Sequence, residues 1–333
     1  MLNLDLHLNP KLFDPGVAQK PTRDGYGNGL VAAASENPNV VALTADLKES
    51  TRVEEFAQKF PERFFECGVA EQNMVTVAAG LGVSGKIPFI SSYATFSPGR
   101  NWEQIRTTVC YNNSNVKIAG HHAGISVGPD GVTHQATEDV AIMRVLPNLT
   151  VIVPCDAVEA EKATKAAAQI WGPVYLRFTR EKTPILTTAD TPFRPGKAEL
   201  FWTAAKPRVL VIASGPILYQ ALLTARELEQ EKIPVLVLNC HTIKPLDEQQ
   251  IITLAKKTGA VVTAEEHQAA GGLGGAITEL LAHKLPVPVA RVGLADCFAE
   301  SGPPAQLFAK YGLDASSIKS AVKRILRQRN HDF

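Results

Sequence analysis

CGVAEQNMVTVAAGLG, at residues 67–82, is followed after a short turn by IPFISSY, at residues 87–93. The first stretch predicts a helix over residues 70–82 whose later turns are small and apolar. The second is a continuous apolar run rather than an alternating one, as in strands that are covered on both faces. A helix that leads into a fully buried strand is the repeating unit of a parallel sheet, and it predicts an α/β fold.

The same unit recurs on both sides of this stretch, and a chain of 333 residues is long enough for about two domains. EKTPILTTADTPFRPGKAEL, at residues 181–200, interrupts the pattern with three prolines, and strand–helix alternation restarts after it. We therefore predict two doubly wound α/β domains with mostly parallel sheets. The expected limits are an N-terminal extension at 1–20, a first domain at 21–182, a linker at 183–200 and a second domain at 201–333. Further strands are predicted at 40–46, 116–122, 149–155 and 174–178, and helices at 25–36, 101–111 and 158–170, the last capped by Asp156.

Composition and charge exclude several functional classes. The net charge of +1 provides no electrostatic attraction for nucleic acid or a membrane surface. The apolar runs are too short to span a bilayer, and MLNLDLHLNPKLFDPG, at residues 1–16, lacks the basic start and apolar run of a signal peptide. The five cysteines lie far apart without a C-x-x-C pair, which indicates buried thiols in a reducing compartment. We predict a cytoplasmic protein that binds neither nucleic acid nor membranes.

Glu71 lies in the first turn of the helix predicted at residues 70–82. In α/β sheets, ligands bind in the loops beyond the carboxyl ends of the strands, so these loops are where function is expected. The spacing alone favours a carboxylate that is stabilised by the positive end of the helix, with Gln72 as a capping partner. The functional alternative is a carboxylate in a dry cleft that hydrogen-bonds the nitrogen of a heterocycle.

Aromatic side chains surround the loop of residues 91–106, SSYATFSPGRNWEQIR. Tyr93, Phe96 and Trp102 are either core residues or part of a stacking surface for a flat ring. Phe96 stands among small and polar neighbours. It is therefore the best candidate for the stacking role.

Three of the eight histidines, including His122 and His134, fall within residues 120–139, GHHAGISVGPDGVTHQATED. Their position in loops suits proton transfer and the binding of sugar hydroxyls near neutral pH. One alternative is that Asp130 and His134 only stabilise a turn and a helix start. Another is a zinc site, but no nearby cysteine or H-E-x-x-H pattern completes a set of ligands.

Further polar residues stand near predicted strand ends, namely Arg23, Ser50 and Arg180. An arginine in such a position can bind phosphate through two parallel hydrogen bonds, although a single arginine is more often a solvated surface residue. GGLGGA, at residues 271–276, matches neither the dinucleotide motif nor the phosphate-binding loop of nucleotidases. We interpret it as tight packing between a strand and a helix.

Taken in order, these stretches resemble one family, transketolase, from about residue 22 to about residue 325. The matching stretches are PTRDGYG, LTADLKES, CGVAEQNMVTVAAGLG, SYATF, GHHAGISVGPDGVTHQ, LPNLTVIVPCDAVEA, LRFTR and AEEHQAAGGLGGAI. The succession of GVAEQNM, GPDGVTHQ and PCDAVEA is specific. The resemblance implies a pyrimidine-binding domain for thiamine diphosphate, followed by the transketolase C-terminal domain.

The resemblance also implies a role for each matching position. Glu71 corresponds to the glutamate that hydrogen-bonds the aminopyrimidine ring and so promotes formation of the carbanion nucleophile. Phe96 corresponds to the aromatic residue that stacks on this ring, and Tyr93 and Asp46 lie near it. His122 and His134 correspond to proton-handling catalytic residues, and the residues that correspond to the sugar-phosphate site are Arg23, Ser50, His122, Asp130, His134 and Arg180.

Full-length transketolases also carry an N-terminal domain with a G-D-G…N motif, which is absent from this sequence. The resemblance therefore implies a separate N-terminal subunit that binds the diphosphate and Mg²⁺, no metal ligand in this chain, and a heterotetramer with two sites. The implied reaction transfers a two-carbon ketol group from a ketose phosphate to an aldose phosphate, as in the pentose phosphate pathway.

Three alternatives stay open. A 1-deoxyxylulose-5-phosphate synthase has similar A-E-Q and D-G-x-T-H stretches, but it usually carries the diphosphate domain in the same chain. The beta subunit of a 2-oxo-acid dehydrogenase shares the split organisation but lacks the D-G-x-T-H-Q run. A non-catalytic paralogue could regulate a partner, although the presence of Glu71, Phe96 and His134 argues against it.

Overall fold

The computed structural model describes residues 1–331, and its elements alternate between strands and helices. The helices are α1 (Thr22–Glu36), α2 (Glu54–Lys59), α3 (Glu71–Val83), α4 (Trp102–Gln104), α5 (Asp139–Arg144), α6 (Ala157–Gln169), α7 (Leu218–Gln230), α8 (Glu248–Thr258), α9 (Leu273–Lys284), α10 (Pro304–Lys310) and α11 (Ala315–His331). The strands are β1 (Gln19–Pro21), β2 (Val40–Thr44), β3 (Phe64–Glu66), β4 (Ile87–Tyr93), β5 (Lys117–His121), β6 (Thr150–Ile152), β7 (Val174–Arg177), β8 (Lys182–Pro184), β9 (Glu199–Trp202), β10 (Val209–Ala213), β11 (Val235–Asn239), β12 (Thr242–Lys244), β13 (Val261–Gln268) and β14 (Val289–Leu294). Short 3₁₀ helices span Leu4–Leu6, Pro61–Arg63 and Ile125–Asp130, and a π-helical turn spans Ile105–Cys110.

The first sheet has the strand order β12-β6-β7-β5-β4-β2-β3, and all its pairs except β12–β6 are parallel. Every residue of β2, β5 and β7 is buried, as expected for strands covered on both faces. On one face α1 packs closely against α6. A Cβ atom at Gly25 would lie 1.9 Å from the carbonyl oxygen of Ala157, so this contact requires glycine.

The second sheet has the order β14-β13-β10-β11-β9, and only β9 is antiparallel to its neighbour. Successive residues of β10 point to opposite faces. Val209 and Val211 pack with α7 and α11, whereas Leu210 and Ile212 pack with α8 and α9. The predicted fold class, two α/β domains with mostly parallel sheets wound on both faces, is confirmed.

The two halves of the chain share a core. Strand β12 follows residue 201 but pairs with β6 of the first sheet, and the N–H of Val153 donates to the carbonyl of His241 at 2.7 Å. Strand β1 pairs with β8, which holds the N-terminal segment against the start of the predicted linker. Strand pairing therefore crosses the predicted domain limits. These limits, at 1–20, 21–182, 183–200 and 201–333, stay predictions.

Local predictions hold to different degrees. Asp156 caps α6, since its Oδ1 accepts the N–H of Glu159 at 2.8 Å. GGLGGA does pack tightly, because the carboxylate of Glu265 accepts the N–H groups of Leu273 and Gly274 at the start of α9. The helix predicted at 101–111 is confirmed, and it starts as the α-helical turn Trp102–Gln104 and continues as the π-helical turn Ile105–Cys110.

The remaining features that were predicted from composition concern cysteines and membrane segments. All five cysteines are free thiols, and Cys110, Cys155 and Cys240 are buried. Among the helices that the structure describes within 1–331, none combines the length and apolarity needed to cross a bilayer.

Candidate active site

The predicted site residues lie at one edge of the first sheet. Strands β7, β5, β4 and β2 are consecutive neighbours, and their carboxyl ends lead into the loops that carry these residues. Parallel strands end at the same edge, so loops that are distant in sequence meet there.

Glu71 is the first residue of α3, and its side chain is almost completely buried. Arg100 is its ionic partner, with Nη1 at 3.4 Å from both Oε1 and Oε2. Asn101 donates from Nδ2 to the Glu71 carbonyl at 3.0 Å and thereby fixes the start of the helix. Gln72 donates to the carbonyl of Arg100 rather than capping the helix, so the predicted capping partnership was wrong. Among residues 1–331, Glu71 is therefore a buried carboxylate with one ionic partner, and that partner, Arg100, is half exposed.

Phe96, Tyr93 and two histidines form an aromatic wall beside this carboxylate. The rings of Tyr93 and Phe96 stack with centroids 5.9 Å apart, and Tyr93 stacks on His122 at 4.0 Å. His134 meets Phe96 edge to face at 5.5 Å. Such a wall presents flat apolar faces with polar edges, which suits a planar heterocycle. Trp102 instead packs against the core and donates from Nε1 to the carbonyl of Ile142.

Arg23 links α1 to the end of β5. Its Nη1 lies 2.9 Å from both the carbonyl oxygen of Ser50 and Nε2 of His122. An arginine has no acceptor, so Nε2 of His122 accepts this hydrogen bond and Nδ1 carries the proton. Within residues 1–331, Nδ1 has no hydrogen-bond partner.

The electrostatic surroundings keep His122 neutral. Burial, followed by the charges of Arg23 and Arg180, lowers the pKa of His122 to about 3. The side chain therefore presents Nδ1–H as a hydrogen-bond donor near neutral pH. Ser50 takes part through its backbone carbonyl.

Arg180 follows β7 and binds the 3₁₀ segment Ile125–Asp130. Its Nη1 donates to Oδ1 of Asp130 and to the carbonyl of Val127, both at 3.0 Å. Arg23 and Arg180 are close enough that each charge lowers the pKa of His122. Together they form a cationic cluster that suits an anion with several oxygens.

Asp46 and His134 occupy more exposed positions. Asp46 lies on the surface in a left-handed conformation, and its N–H donates to Glu66 Oε1 at 2.7 Å. Glu66 Oε1 also accepts the N–H of Gly68, which places Asp46 beside the segment leading to Glu71. Nδ1 of His134 lies 2.9 Å from the hydroxyl of Thr133.

Arg100 and Asn101 were missed by sequence reasoning. Both follow Phe96 within four to five positions, but nothing in SPGRN marks their contacts with a residue thirty positions upstream. The guanidinium carbon of Arg100 lies 4.3 Å from the Phe96 ring centroid, so this cation contacts the carboxylate and the aromatic face together. The tertiary fold alone creates this arrangement.

Two family models match the chain. The transketolase pyrimidine-binding domain matches residues 18–185, and the transketolase C-terminal domain matches residues 196–318. The chain belongs to the transketolase family. It corresponds to the C-terminal section of transketolase, as the resemblance implied.

Curated relatives include C-terminal sections of transketolase that are separate chains. A putative transketolase C-terminal section from Methanocaldococcus jannaschii is 42% identical over 93% of this chain and 96% of its own length. A 6-deoxy-6-sulfo-D-fructose transketolase subunit from a Clostridium species is 41% identical over 96% of this chain and 98% of its own length.

A solved transketolase structure has the same architecture. It is described as a split-gene transketolase in an inactive beta4 tetramer, and it superposes with a TM-score of 0.85 at 44% identity. The match covers 93% of this chain and 99% of that chain. The transketolase fold is therefore shared over nearly the whole of both molecules.

Proposed function

We propose that this chain forms the pyrimidine-binding half of a thiamine-diphosphate site and is active only with a separate N-terminal transketolase subunit. The observation that carries the proposal is Glu71, a buried carboxylate beside the aromatic wall of Phe96 and Tyr93. The assembly transfers a two-carbon ketol group from a ketose phosphate to an aldose phosphate.

The residues of this chain fit the aminopyrimidine end of the cofactor. Glu71 offers a buried acceptor whose only ionic partner among residues 1–331 is 3.4 Å away, and Phe96 offers a flat face beside it. Glu71 would bind a ring nitrogen, Phe96 would stack on the ring, and Tyr93 and Asp46 would lie near it. Thiamine diphosphate, when bound, supplies the carbanion nucleophile and the electron sink for carbon–carbon cleavage.

The cationic cluster suits the phosphate of a sugar. Arg23 and Arg180 provide the positive charge, while His122 donates from Nδ1 and Ser50 and Asp130 hold the two arginines in position. A buried donor without a partner gains a hydrogen bond when a substrate hydroxyl or phosphate oxygen arrives. His134, which lies at the edge of the aromatic wall, would hold or move a proton at the sugar hydroxyls.

The proposed partner is a chain that binds the diphosphate and Mg²⁺, and two copies of each chain form a heterotetramer in the cytoplasm. Support comes from relatives that are themselves C-terminal sections or subunits and that this chain covers over 96% and 98% of their length. The solved split-gene transketolase consists of beta chains alone and is described as inactive. This description agrees with a requirement for a second chain.

Co-expression with a partner that carries the G-D-G…N motif tests the proposal. We expect turnover of xylulose 5-phosphate and ribose 5-phosphate, with thiamine diphosphate and magnesium, only from the mixture. Equal turnover by this chain alone would overturn the split-enzyme proposal. Turnover of pyruvate with glyceraldehyde 3-phosphate would favour the deoxyxylulose-phosphate synthase alternative, and oxidation of a 2-oxo acid would favour the dehydrogenase alternative.

Glu71→Gln tests the role of the carboxylate while preserving its shape. We expect turnover by the mixture to fall at least about a hundredfold, because a catalytic acid–base contact contributes that much. Assembly, measured by sedimentation, should not change. Glu103→Gln, which alters an exposed glutamate of α4, is the matched control. Full turnover by Glu71→Gln would overturn the catalytic role of Glu71, whereas no turnover by the wild-type mixture would point to the non-catalytic paralogue.

A further inference from the structure

A cleft between the two halves of the chain lies behind the segment that carries Asp130. Its volume is about 360 Å³, which is in the range of small-molecule sites. Pro216 and Tyr219 line it from around the start of α7, and Pro304 and Phe308 line it from α10. The transketolase reaction proposed above uses none of these four residues.

Glu266 lies in the wall of this cleft and is only 2% exposed. Its Oε1 accepts the N–H of Ser126 at 2.6 Å, but Oε2 has no hydrogen-bond partner within residues 1–331. Burial raises the pKa of Glu266, although the nearby charge of Arg177 opposes this effect. A buried carboxyl oxygen without a partner is costly, so a donor that entered the cleft would be bound favourably.

The remaining lining indicates the chemistry of such a donor. Among residues 1–331, the acidic residues that line the cleft are Glu181, Glu266 and Asp314, and the one basic residue is Lys182. Oε1 of Glu181 also lies 3.8 Å from Nε of Arg180, which leaves Glu266 and Asp314, within the part of the chain that the structure describes, as the acids without an ion-pair partner. The rings of Tyr219 and Phe308 add faces that attract cations. An acidic and aromatic cavity favours a positively charged group on an apolar body over an anion.

We propose that this cleft binds a small organic cation, whose ammonium group donates to Oε2 of Glu266 while its apolar part packs on Tyr219 and Phe308. The site is separate from the cationic cluster that suits sugar phosphates. The cleft favours a positively charged ligand, whereas the cationic cluster favours an anion.

Glu266 connects the cleft to the substrate segment. Ser126, whose N–H it binds, belongs to Ile125–Asp130, and Arg180 holds the same segment through Val127 and Asp130. Gly124 keeps the contact close, since a Cβ atom there would lie 2.2 Å from Glu266 Oε1. A cation at Oε2 would fix the orientation of the Glu266 carboxylate, and the Ser126 hydrogen bond at Oε1 would thereby hold this segment. This second step rests on the proposed sugar-phosphate role of the segment.

Titration of the chain with benzylammonium, followed by ligand-observed NMR, tests the site. We expect benzylammonium to bind at least about tenfold more tightly than benzyl alcohol, because a hydrogen bond between two charged groups is stronger than one that a neutral hydroxyl donates. Benzoate should not bind. Glu266→Gln should remove the tenfold preference for benzylammonium. The proposal would be overturned if the three probes bound with equal affinity, or if none of them bound.

Two variants of α10 keep the test independent of Glu266. Ala305 lines the cleft, so the large ring of Ala305→Trp should fill part of it and abolish benzylammonium binding. Gln306→Trp, also exposed on α10 but outside the lining, is the matched control and should bind normally. Binding that survives Ala305→Trp would place the ligand elsewhere and defeat the proposal.

Hydrogen exchange at the Ser126 amide tests the connection to the substrate segment. We expect saturating benzylammonium to slow this exchange severalfold in the wild-type chain and not in Ala305→Trp. If benzylammonium bound but the exchange rate of the Ser126 amide did not change, the connection between the cleft and the substrate segment would be refuted. Neither readout involves turnover, so failure of the ketol-transfer assay would be distinguishable from failure of this proposal.

Discussion

Nη1 of Arg100 lies 3.4 Å from both carboxylate oxygens of Glu71, and the same guanidinium covers the Phe96 ring at 4.3 Å. The arginine thus fills the gap between a buried acceptor and an aromatic face. A flat ring that uses both groups must displace it. Arg100 is half exposed, so displacement costs only a modest ion pair and a cation–π contact.

Arg100→Leu should therefore tighten cofactor binding. We expect the Kd of thiamine diphosphate in the two-chain mixture to fall about threefold to thirtyfold, since the lost ion pair is worth about 0.2–1 kcal/mol and the lost cation–π contact about 0.5–1 kcal/mol. Fluorescence or calorimetric titration measures this constant. Arg106→Leu, an exposed arginine in the neighbouring turn, is the control. Weaker binding by Arg100→Leu would mean that the arginine contacts the bound cofactor, instead of occupying the position that the cofactor takes.

Arg180 should determine the preference for phosphorylated sugars. Arg180→Ala removes the partner of Asp130 and half of the cationic cluster. We expect the KM for ketose phosphate to rise at least about tenfold with little change in kcat, as for an interaction made equally in ground and transition states. Steady-state kinetics with the unphosphorylated ketose is the control, because its KM should not change. A loss of kcat alone would contradict the assignment.

His122 should stay uncharged over the range in which the protein is studied. Burial, Arg23 and Arg180 lower its pKa to about 3. The unfolded chain has the ordinary histidine pKa of about 6.5 and takes up the proton first. The free energy of unfolding should therefore decrease as the pH falls from about 6.5 toward about 3.

NMR of selectively labelled histidine checks the pKa of His122 directly. We expect no titration of its ring above pH 5 in the wild-type chain, and a raised pKa in Arg23→Gln because a positive neighbour is removed. Arg208→Gln, at the exposed residue that precedes β10 of the second sheet, leaves the site unaltered and serves as the control. A wild-type ring that titrates near pH 6.5 would contradict the role of Arg23.

His241 and Glu199 should make stability depend on pH in the opposite sense. Nε2 of His241 lies 3.0 Å from Oε2 of Glu199, and both side chains are buried. Burial opposes the charged ring, but the contact with Glu199 and the charge of Glu159 outweigh it and raise the pKa of His241. The stabilisation is fully present below the unfolded pKa of about 6.5 and is lost as the pH rises through the folded pKa.

Glu199→Gln measures this contribution. We expect the variant to lower Tm at pH 6 and to lower it less at a pH above the raised pKa of His241, where the wild-type ring has lost its proton. Glu248→Gln, at an exposed glutamate of α8, controls for the change of residue type. A loss of Tm that is equal at both pH values would show that His241 carries no charge in the folded chain.

Local patterns in the sequence account for much of the fold. Continuous apolar runs predicted β2, β4, β5 and β7, since strands buried on both faces need no polar alternation. Asp156 was recognised as a cap because it precedes a helical pattern. The π-helical turn at Ile105–Cys110 was not recognised, because a π-helix and an α-helix have similar amino-acid compositions.

The candidate site was only partly readable. Each motif residue stands in a loop next to a strand or helix end, and the family resemblance assigned its role. Arg100 and Glu266 escaped this reading for one reason. Their contacts join residues 29 and 140 positions apart, and neither contact carries a local signal.

The sequence by itself determined the elements, the class of fold and the set of side chains available for chemistry, because hydrophobic period and helix caps act over a few residues. Only the tertiary structure decided which of those side chains meet. Sheet order brings β7, β5, β4 and β2 to one edge, and this sets Arg23 against His122 and Arg100 against Glu71. Charge and burial at these contacts depend on distances in space, which no spacing along the chain specifies.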